Sequence, residues 1–260
     1  MLKFHIIESG YFKGDGGVMF GPIPKKYWAP KYEVDPNNMC IMSMRCLFIE
    51  TDTRRILVDS GMGNKHMSKL KFFQPFNIKN IVDEIRNIGY EPEEVTDVIN
   101  THLHFDHCGG NTMIGDDGLA HPTFPNATYH ISLKQWNNYR KPLLFEKGSF
   151  FADNIEPVYD AGQLKFVIDD INFDDNIRLE LYDGHTDGQI AVLFSNEDGS
   201  FAFPGDVVPT SLNLPLNWLC AYDNCMATAM NEKKRFMDKA RADKRTLIFY
   251  HDAYTPTAQL

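Results

Sequence analysis

The chain has 260 residues and a formal net charge of −9, with 43% hydrophobic and 23% charged residues. These fractions are typical of a globular protein, and the length suits one sizeable core, so we expect residues 1–260 to form a single domain. Phosphate contacts need a basic track, and no long run of Lys or Arg occurs. The sequence therefore argues against a nucleic acid as the main partner.

The chain lacks the sequence features of membrane or secreted proteins. No run of about 18 apolar residues occurs, which excludes a membrane-spanning helix. The N-terminal residues contain no apolar stretch followed by a small-residue cleavage site. The five cysteines are irregularly spaced, as expected of reduced thiols rather than of a disulfide framework. We therefore expect a cytoplasmic protein without a membrane partner.

Residues 10–36 are rich in glycine, proline and aromatic residues. This composition predicts an ordered surface loop, because the side chains of Phe20, Tyr27 and Trp28 need a surface to pack on. Two roles are open for the loop. It forms either one wall of a pocket or the interface of a homodimer.

Hydrophobic periodicity predicts strands and helices along the rest of the chain. An apolar face between residues 78 and 88 predicts a helix that Asn77 caps and that ends near Gly89. Further helices are expected at residues 132–141 and 224–242. Strands are expected at residues 42–50, 55–58, 95–100, 127–131, 178–182, 190–194, 201–203 and 246–250.

Three imidazoles and one carboxylate lie within six residues, just after the strand predicted at residues 95–100. Alternate side chains of an extended segment point the same way, so His102 and His104 can converge on one point. Asp106 and His107 follow a turn and can face a second point nearby. Imidazole and carboxylate together form a ligand set that suits Zn, Fe, Mn or Co better than Ca or Mg.

Three later positions carry the same kinds of side chain. His185, Asp206 and His251 each lie just beyond a predicted strand. In α/β folds, functional groups gather where strands end and loops begin. Four strand ends therefore offer metal-binding groups, which together amount to five His and two Asp.

This order of motifs resembles the metallo-β-lactamase superfamily. The chain has His-x-His-x-Asp-His at residues 102–107, then Gly-His-Thr, then Gly-Asp and a final His. The resemblance implies an α/β (α+β) fold, a four-layer αβ/βα sandwich with two mixed β-sheets and the site at one edge. It assigns His102, His104 and His185 to one metal and Asp106, His107 and His251 to a second, with Asp206 bridging both. Asp59, in Asp-Ser-Gly, is expected either to orient a ligating imidazole or to fix a local turn.

Two divalent cations are the cofactors that the resemblance implies, with Zn²⁺ as the first choice and Fe, Mn or Co as alternatives. Seven ligands shared between two ions leave room for a bridging water, whose pKa the ions lower towards neutrality. The resulting hydroxide would attack the substrate, and Asp106 would act as a catalytic group that passes a proton to the leaving group.

Within the superfamily, the chain is most similar to the N-acyl homoserine lactone lactonases. The true zinc β-lactamases most often have Cys where this chain has Asp206, and the flavodiiron proteins have Glu where it has His104. The lactonases carry a Tyr three residues after the bridging Asp, and here that residue is Pro209. Tyr222 is therefore a candidate for the catalytic phenol. The alternative is an aromatic side chain that packs under its loop.

The expected function is that of a metal-dependent hydrolase that opens a lactone or cleaves another activated carboxylic ester, with N-acyl homoserine lactones (quorum quenching) as one candidate. The substrate is expected to be a small molecule with an apolar portion. Apolar side chains would line its pocket: Phe105, Leu212, Leu214, Leu216, Trp218 and one of Phe20 and Trp28. Residues 142–151 form either a flexible cover or a packed connection. Two alternatives stay open: a phosphotriesterase or arylesterase on the same site, and a non-catalytic metal-binding protein.

Overall fold

A computed structural model describes residues 2–260 of the chain. Within this range, the chain forms fourteen strands and seven α-helices, and short 3₁₀ turns connect several of them. The strands are β1 (Lys3–Asp15), β2 (Met39–Glu50), β3 (Arg55–Val58), β4 (Asp97–Ile99), β5 (Thr112–Ile114), β6 (Ala120–Pro122), β7 (Thr128–Ser132), β8 (Leu164–Val167), β9 (Ile171–Asp174), β10 (Ile177–Tyr182), β11 (Gln189–Asn196), β12 (Gly199–Phe203), β13 (Thr246–Ile248) and β14 (Thr257–Gln259). The helices are α1 (Gly16–Met19), α2 (Lys25–Trp28), α3 (Ile81–Ile88), α4 (Phe105–Cys108), α5 (Leu133–Arg140), α6 (Glu156–Asp160) and α7 (Met226–Ala242).

Two six-stranded sheets contain most of the strands. The first has the order β1-β2-β3-β4-β7-β8, and the second has the order β14-β13-β12-β11-β10-β9. In the first sheet β2 and β3 are antiparallel, whereas β3, β4, β7 and β8 run parallel. In the second sheet only β12 and β13 are a parallel pair. Both sheets are mixed, as predicted.

The chain divides into two compact units. The first unit comprises residues 2–10 and Met44–Asp169, and the second comprises Tyr11–Ser43 and Asp170–Leu260. Strands β1 and β2 each begin in one unit and end in the other. No helix among residues 2–260 is long and apolar enough to cross a membrane.

The core of the first unit forms between its central strands and the helices that pack on them. Val98 of β4 and Ile131 of β7 have no exposed surface, and Ile85 of α3 is equally buried against them. Asn80, not Asn77, caps α3, because its side chain accepts a hydrogen bond from the backbone of Val82. The predicted cap was therefore wrong by one helical turn, whereas the predicted end at Gly89 is confirmed.

The core of the second unit forms between β10–β13 and the long helix α7. Phe236, Met237 and Ala240 form the buried face of this helix and pack against Tyr182 and Leu247. Burial of aromatic and aliphatic side chains of this size stabilises the unit by about 1.5–3 kcal/mol for each one. The sequence predicted this helix two residues too long at its N-terminal end.

Other parts of the secondary structure differ from the prediction. Residues 10–15 belong to strand β1 rather than to a loop, and the following residues form α1 and α2. The strand predicted at residues 246–250 ends at Ile248. Strands β5, β6, β8, β9 and β14 were not predicted, because each has only three or four residues, too few for a periodic pattern to stand out.

Lys233 is a buried cation on the inner face of α7, with 1% of its surface exposed. Its Nζ donates hydrogen bonds to the backbone carbonyls of Pro215 and Trp218 at 2.9 and 2.8 Å. Lys233 therefore ties the helix to the loop that precedes Tyr222. Burial lowers the pKa of the Lys233 ammonium from 10.5 to about 8.

This depressed pKa predicts a pH dependence of stability. Between pH 8 and 10.5 the unfolded chain binds more protons at Lys233 than the folded chain does, so the free energy of unfolding rises with pH. Over this window, urea unfolding should show that the free energy of unfolding of the wild type rises by about 3 kcal/mol relative to that of Lys233→Met. The exposed neighbour Lys234 provides the control variant Lys234→Met. A constant difference between wild type and Lys233→Met over the window would contradict the assignment.

Candidate metal centre

The loop after β4 brings three imidazoles together within the first unit. Residues 100–104 are irregular, and α4 begins at Phe105. The rings of His102 and His104 lie 4.5 Å apart, and those of His102 and His107 lie 4.0 Å apart, measured between their centroids. A ring nitrogen of His102 lies within 4.8 Å of a ring nitrogen of His104, and a ring nitrogen of His102 lies within 4.8 Å of one of His107. A carboxylate oxygen of Asp106 lies within the same distance of a ring nitrogen of His107. All four side chains are buried. The predicted convergence of His102 and His104 is confirmed, and His107 lies equally close to His102.

Asp59 fixes the orientation of this loop from the end of β3. Its carboxylate is completely buried and accepts hydrogen bonds from the backbone N–H and the hydroxyl of Thr101, both at 2.8 Å. It also accepts a hydrogen bond at 2.9 Å from Nδ1 of His107. The Nδ1 of His107 is therefore engaged, which makes Nε2 the ring atom that would bind a metal. Asp59 contacts the imidazole directly, as the first of its two expected roles requires.

The hydroxyl of Thr101 connects the same carboxylate to His102. The Oγ1 atom of Thr101 lies 3.0 Å from Nδ1 of His102. Because this hydroxyl donates its single proton to Asp59, it accepts a hydrogen bond from the Nδ1–H of His102. His102 therefore also offers Nε2 to a metal.

The two glycines after the helix α4 allow a close backbone contact. A Cβ on Gly109 would lie 1.9 Å from the carbonyl oxygen of Met62, and a Cβ on Gly110 would lie 2.3 Å from that of Ser60. Any side chain at either position would push the histidine loop away from the segment that follows Asp59.

His104 has a different partner, Glu146, which was not predicted from the sequence. Its Nε2 lies 3.0 Å from the buried carboxylate of Glu146. Glu146 belongs to the irregular residues 142–151, and no motif or periodicity in that segment marks it as functional.

Within the second unit, Asp206 lies between two imidazoles. One of its carboxylate oxygens is 3.4 Å from Nε2 of His185, and the other is 3.4 Å from Nε2 of His251. All three residues are buried: His185 is 3% exposed, Asp206 is 6% exposed and His251 is 2% exposed. The structure thus brings together the three predicted residues of this unit, and each oxygen of Asp206 faces a different imidazole.

Both imidazoles of the second unit are held through Nδ1. Asp223 lies 3.2 Å from Nδ1 of His185, and the carbonyl oxygen of Ser43 lies 3.0 Å from Nδ1 of His251. Such outer contacts set the tautomer and the ring orientation of a metal-binding histidine. Asp223 was not predicted as a site residue from the sequence, although the adjoining Tyr222 was.

Tyr222 stands beside this set. Its ring meets that of His185 edge to face, with the centroids 5.2 Å apart. Burial raises the pKa of the Tyr222 phenol well above its usual value, so the hydroxyl keeps its proton at neutral pH. The side chain is therefore next to a predicted ligand and able to donate a hydrogen bond.

Three of the apolar residues expected to line a pocket take different positions. Phe105 packs against Phe73 and Phe151, with ring centroids 5.1 and 5.7 Å away. In the second unit, Phe20 and Trp28 are 0% and 1% exposed and belong to the core. Neither of these two side chains offers a face to a substrate.

The donor chemistry of both sets fits divalent metal ions. Neutral imidazole nitrogens and carboxylate oxygens are the donors found at zinc sites. The hydrogen bonds to Asp59, Thr101, Asp223 and the carbonyl of Ser43 direct Nε2 of four histidines towards such an ion. Zinc-binding histidines are usually held in this way.

Comparison with known proteins gives a consistent result. The chain is 32% identical over 230 residues to an N-acyl homoserine lactonase of Bacillus cereus, and the match covers 84% of each protein. A crystal structure of a probable metal-dependent hydrolase from Staphylococcus aureus is 25% identical and superposes with a TM-score of 0.91, covering 99% of this chain and 92% of that one. The dizinc quorum-quenching lactonase AidC, in complex with a product, is 18% identical and gives a TM-score of 0.80, covering 99% of this chain and 90% of that one.

The family model for the metallo-β-lactamase superfamily matches residues 45–251. This range includes the histidine loop of the first unit and all three predicted ligands of the second. The two mixed sheets agree with the fold of these relatives. The chain belongs to the metallo-β-lactamase superfamily and has its fold.

Proposed function

We propose that the two ligand sets hold two divalent metal ions and that the protein hydrolyses a lactone or another activated carboxylic ester. His102, His104 and His185 would bind one ion, and Asp106, His107 and His251 the other. Asp206 would bridge them. Residues 1–260 would form a single hydrolase domain, in line with superposition over almost the whole chain on the probable metal-dependent hydrolase from Staphylococcus aureus.

The position of Asp206 carries this proposal. The two oxygens of Asp206 face His185 and His251 separately. Because each of these imidazoles is assigned to a different ion, this one carboxylate is placed to contact both ions. Zinc is the first choice, in keeping with the dizinc relative, and Fe, Mn or Co would suit the same donors.

Two ions held there would supply a water acidified towards neutrality and would polarise the ester carbonyl. The other steps belong to side chains of the protein. Asp106 would accept a proton and pass it to the leaving oxygen, because its carboxylate lies 3.9 Å from Nε2 of His107, beside the proposed metal position. The protonated phenol of Tyr222 would donate a hydrogen bond to the substrate. Phe105 would contact the apolar portion of the substrate.

The substrate class follows from the relatives and from the aromatic surroundings of the site. An N-acyl homoserine lactone combines a ring ester with an apolar acyl chain, and the curated relatives are N-acyl homoserine lactonases. Phe73, Phe105 and Phe151 form an aromatic cluster beside the histidine loop that suits such a chain better than a charged substrate.

A substrate panel tests the proposal. The zinc-loaded protein is assayed with acyl homoserine lactones, aryl esters and a phosphotriester, and its metal content is measured in parallel. We expect about two metal equivalents per chain and acid release from the lactone that stops after metal removal. Turnover of the phosphotriester or aryl ester alone would assign the site to the alternative esterase. Bound metal without hydrolysis of any ester would show that the protein is a non-catalytic metal-binding protein.

A further inference from the structure

Glu146 is a buried carboxylate within an exposed segment. The preceding side chains Leu143, Leu144 and Phe145 are 49%, 92% and 60% exposed, whereas Glu146 is 3% exposed. Taking a carboxylate out of water is costly unless hydrogen bonds replace its hydration. The contacts of Glu146 therefore explain why this segment turns inward at a single residue.

The partners of Glu146 include two side chains of the first unit. The side-chain amide of Asn138, on α5, donates to both carboxylate oxygens at 3.1 and 3.0 Å. The imidazole of His104 places Nε2 3.0 Å from the oxygen Oε1. The ring of Phe150, from the same segment, lies 5.3 Å from that of His104. The segment therefore approaches this histidine with both a polar and an aromatic side chain.

The carboxylate selects one tautomer of His104. A carboxylate only accepts hydrogen bonds, so the proton of the neutral imidazole lies on Nε2 and the lone pair on Nδ1. His102 and His107 show the reverse arrangement, because their Nδ1 atoms are engaged by Thr101 and Asp59. His104 would therefore bind a metal through Nδ1, unlike its two neighbours.

We propose that Glu146 is a positioning residue that holds His104 as an Nδ1 metal ligand and couples metal binding to the order of residues 142–151. The inference rests on the proposed function, in which His104 is a ligand. Coupling of this kind is reciprocal. If the bond from Glu146 strengthens metal binding, a bound metal stabilises the Glu146 contact and the segment that carries it.

The test measures zinc affinity by chelator competition and hydrogen–deuterium exchange of residues 142–151, each with and without zinc. In wild type, zinc should slow exchange in this segment. Glu146→Ala should weaken binding of one zinc ion by about 10- to 100-fold and abolish the zinc-dependent slowing. Glu146→Gln keeps an oxygen that can accept from Nε2–H, so it should restore part of both effects.

Glu156 provides the matched control. It is a nearby acid that bonds to Tyr139 and Arg140 and touches no predicted ligand, so Glu156→Gln should match wild type in both measurements. If the wild type binds zinc and both Glu146→Ala and Glu146→Gln bind zinc with the wild-type affinity, the inference is wrong but the proposed function is not affected. Exchange in residues 142–151 that does not respond to zinc would overturn it as well. Wild type that binds no zinc would instead remove the proposed function on which the inference rests.

Discussion

Asp106→Asn is expected to lower turnover of the ester substrate by about 10²- to 10⁴-fold while the Michaelis constant changes little. Asparagine has the shape of aspartate but cannot accept the proton that must reach the leaving oxygen. Asp106 is 8% exposed, and its Oδ2 lies 3.9 Å from Nε2 of His107, so the substitution changes charge at the predicted metal position without opening a cavity. Steady-state kinetics of the two proteins measure the effect.

Metal content must be measured on the same samples, because Asp106 is also a predicted ligand. A variant that keeps both metals and loses turnover assigns the loss to proton transfer. Asp117→Asn provides a matched control, since Asp117 is an exposed carboxylate paired with His121 in the same unit. Asp106→Asn with wild-type turnover would remove this residue from the mechanism.

Asp59→Asn is expected to weaken both the fold and the metal site. The carboxylate of Asp59 accepts three hydrogen bonds, from the backbone and hydroxyl of Thr101 and from Nδ1 of His107. An amide has one acceptor oxygen, so at least one buried donor loses its partner at a cost of about 1–3 kcal/mol. Asparagine tolerates the positive φ of 56° at this position, which keeps backbone strain out of the comparison.

The metal site should respond through both imidazoles that Asp59 orients. We expect about 10- to 100-fold weaker zinc binding in Asp59→Asn, measured by chelator competition beside urea unfolding of the metal-free protein. Thr101→Ser keeps the hydroxyl that links Asp59 to His102 and should stay close to wild type. Wild-type stability and zinc affinity in Asp59→Asn would show that the carboxylate only shapes the turn.

The part of the site that the sequence predicted is the part encoded by local motifs. The alternation of an extended segment was enough to predict that His102 and His104 converge, and the motif places His107 after the turn that follows them. Asp206 and His251 were found because each follows a strand that hydrophobic residues marked. Such signals depend only on near neighbours in the chain.

Residues that act through tertiary contacts could not be predicted in this way. Glu146 lies 42 positions from His104 on an irregular segment, and Asp223 lies 38 positions from His185. Each is a common surface residue type, and only the folded chain shows which carboxylate is buried against an imidazole. Their contribution therefore becomes visible in the structure alone.

The misassigned N-terminal region has a similar cause. Gly10 and Gly14 suggested a loop, yet both lie inside strand β1. A Cβ on Gly10 would lie 2.8 Å from the side chain of Ile78, and one on Gly14 would lie 3.2 Å from Met19. These glycines allow close packing of a strand, which the sequence alone does not distinguish from the flexibility of a loop.

Anomalous X-ray diffraction at the zinc edge from crystals of the metal-loaded protein tests the central claim most directly. The proposed centre predicts two zinc peaks about 3.5–4 Å apart. One should be bound by His102, His104 and His185, the other by Asp106, His107 and His251, with Asp206 touching both. A single peak, or two distant peaks that each contact the ligands of only one unit, would contradict the account.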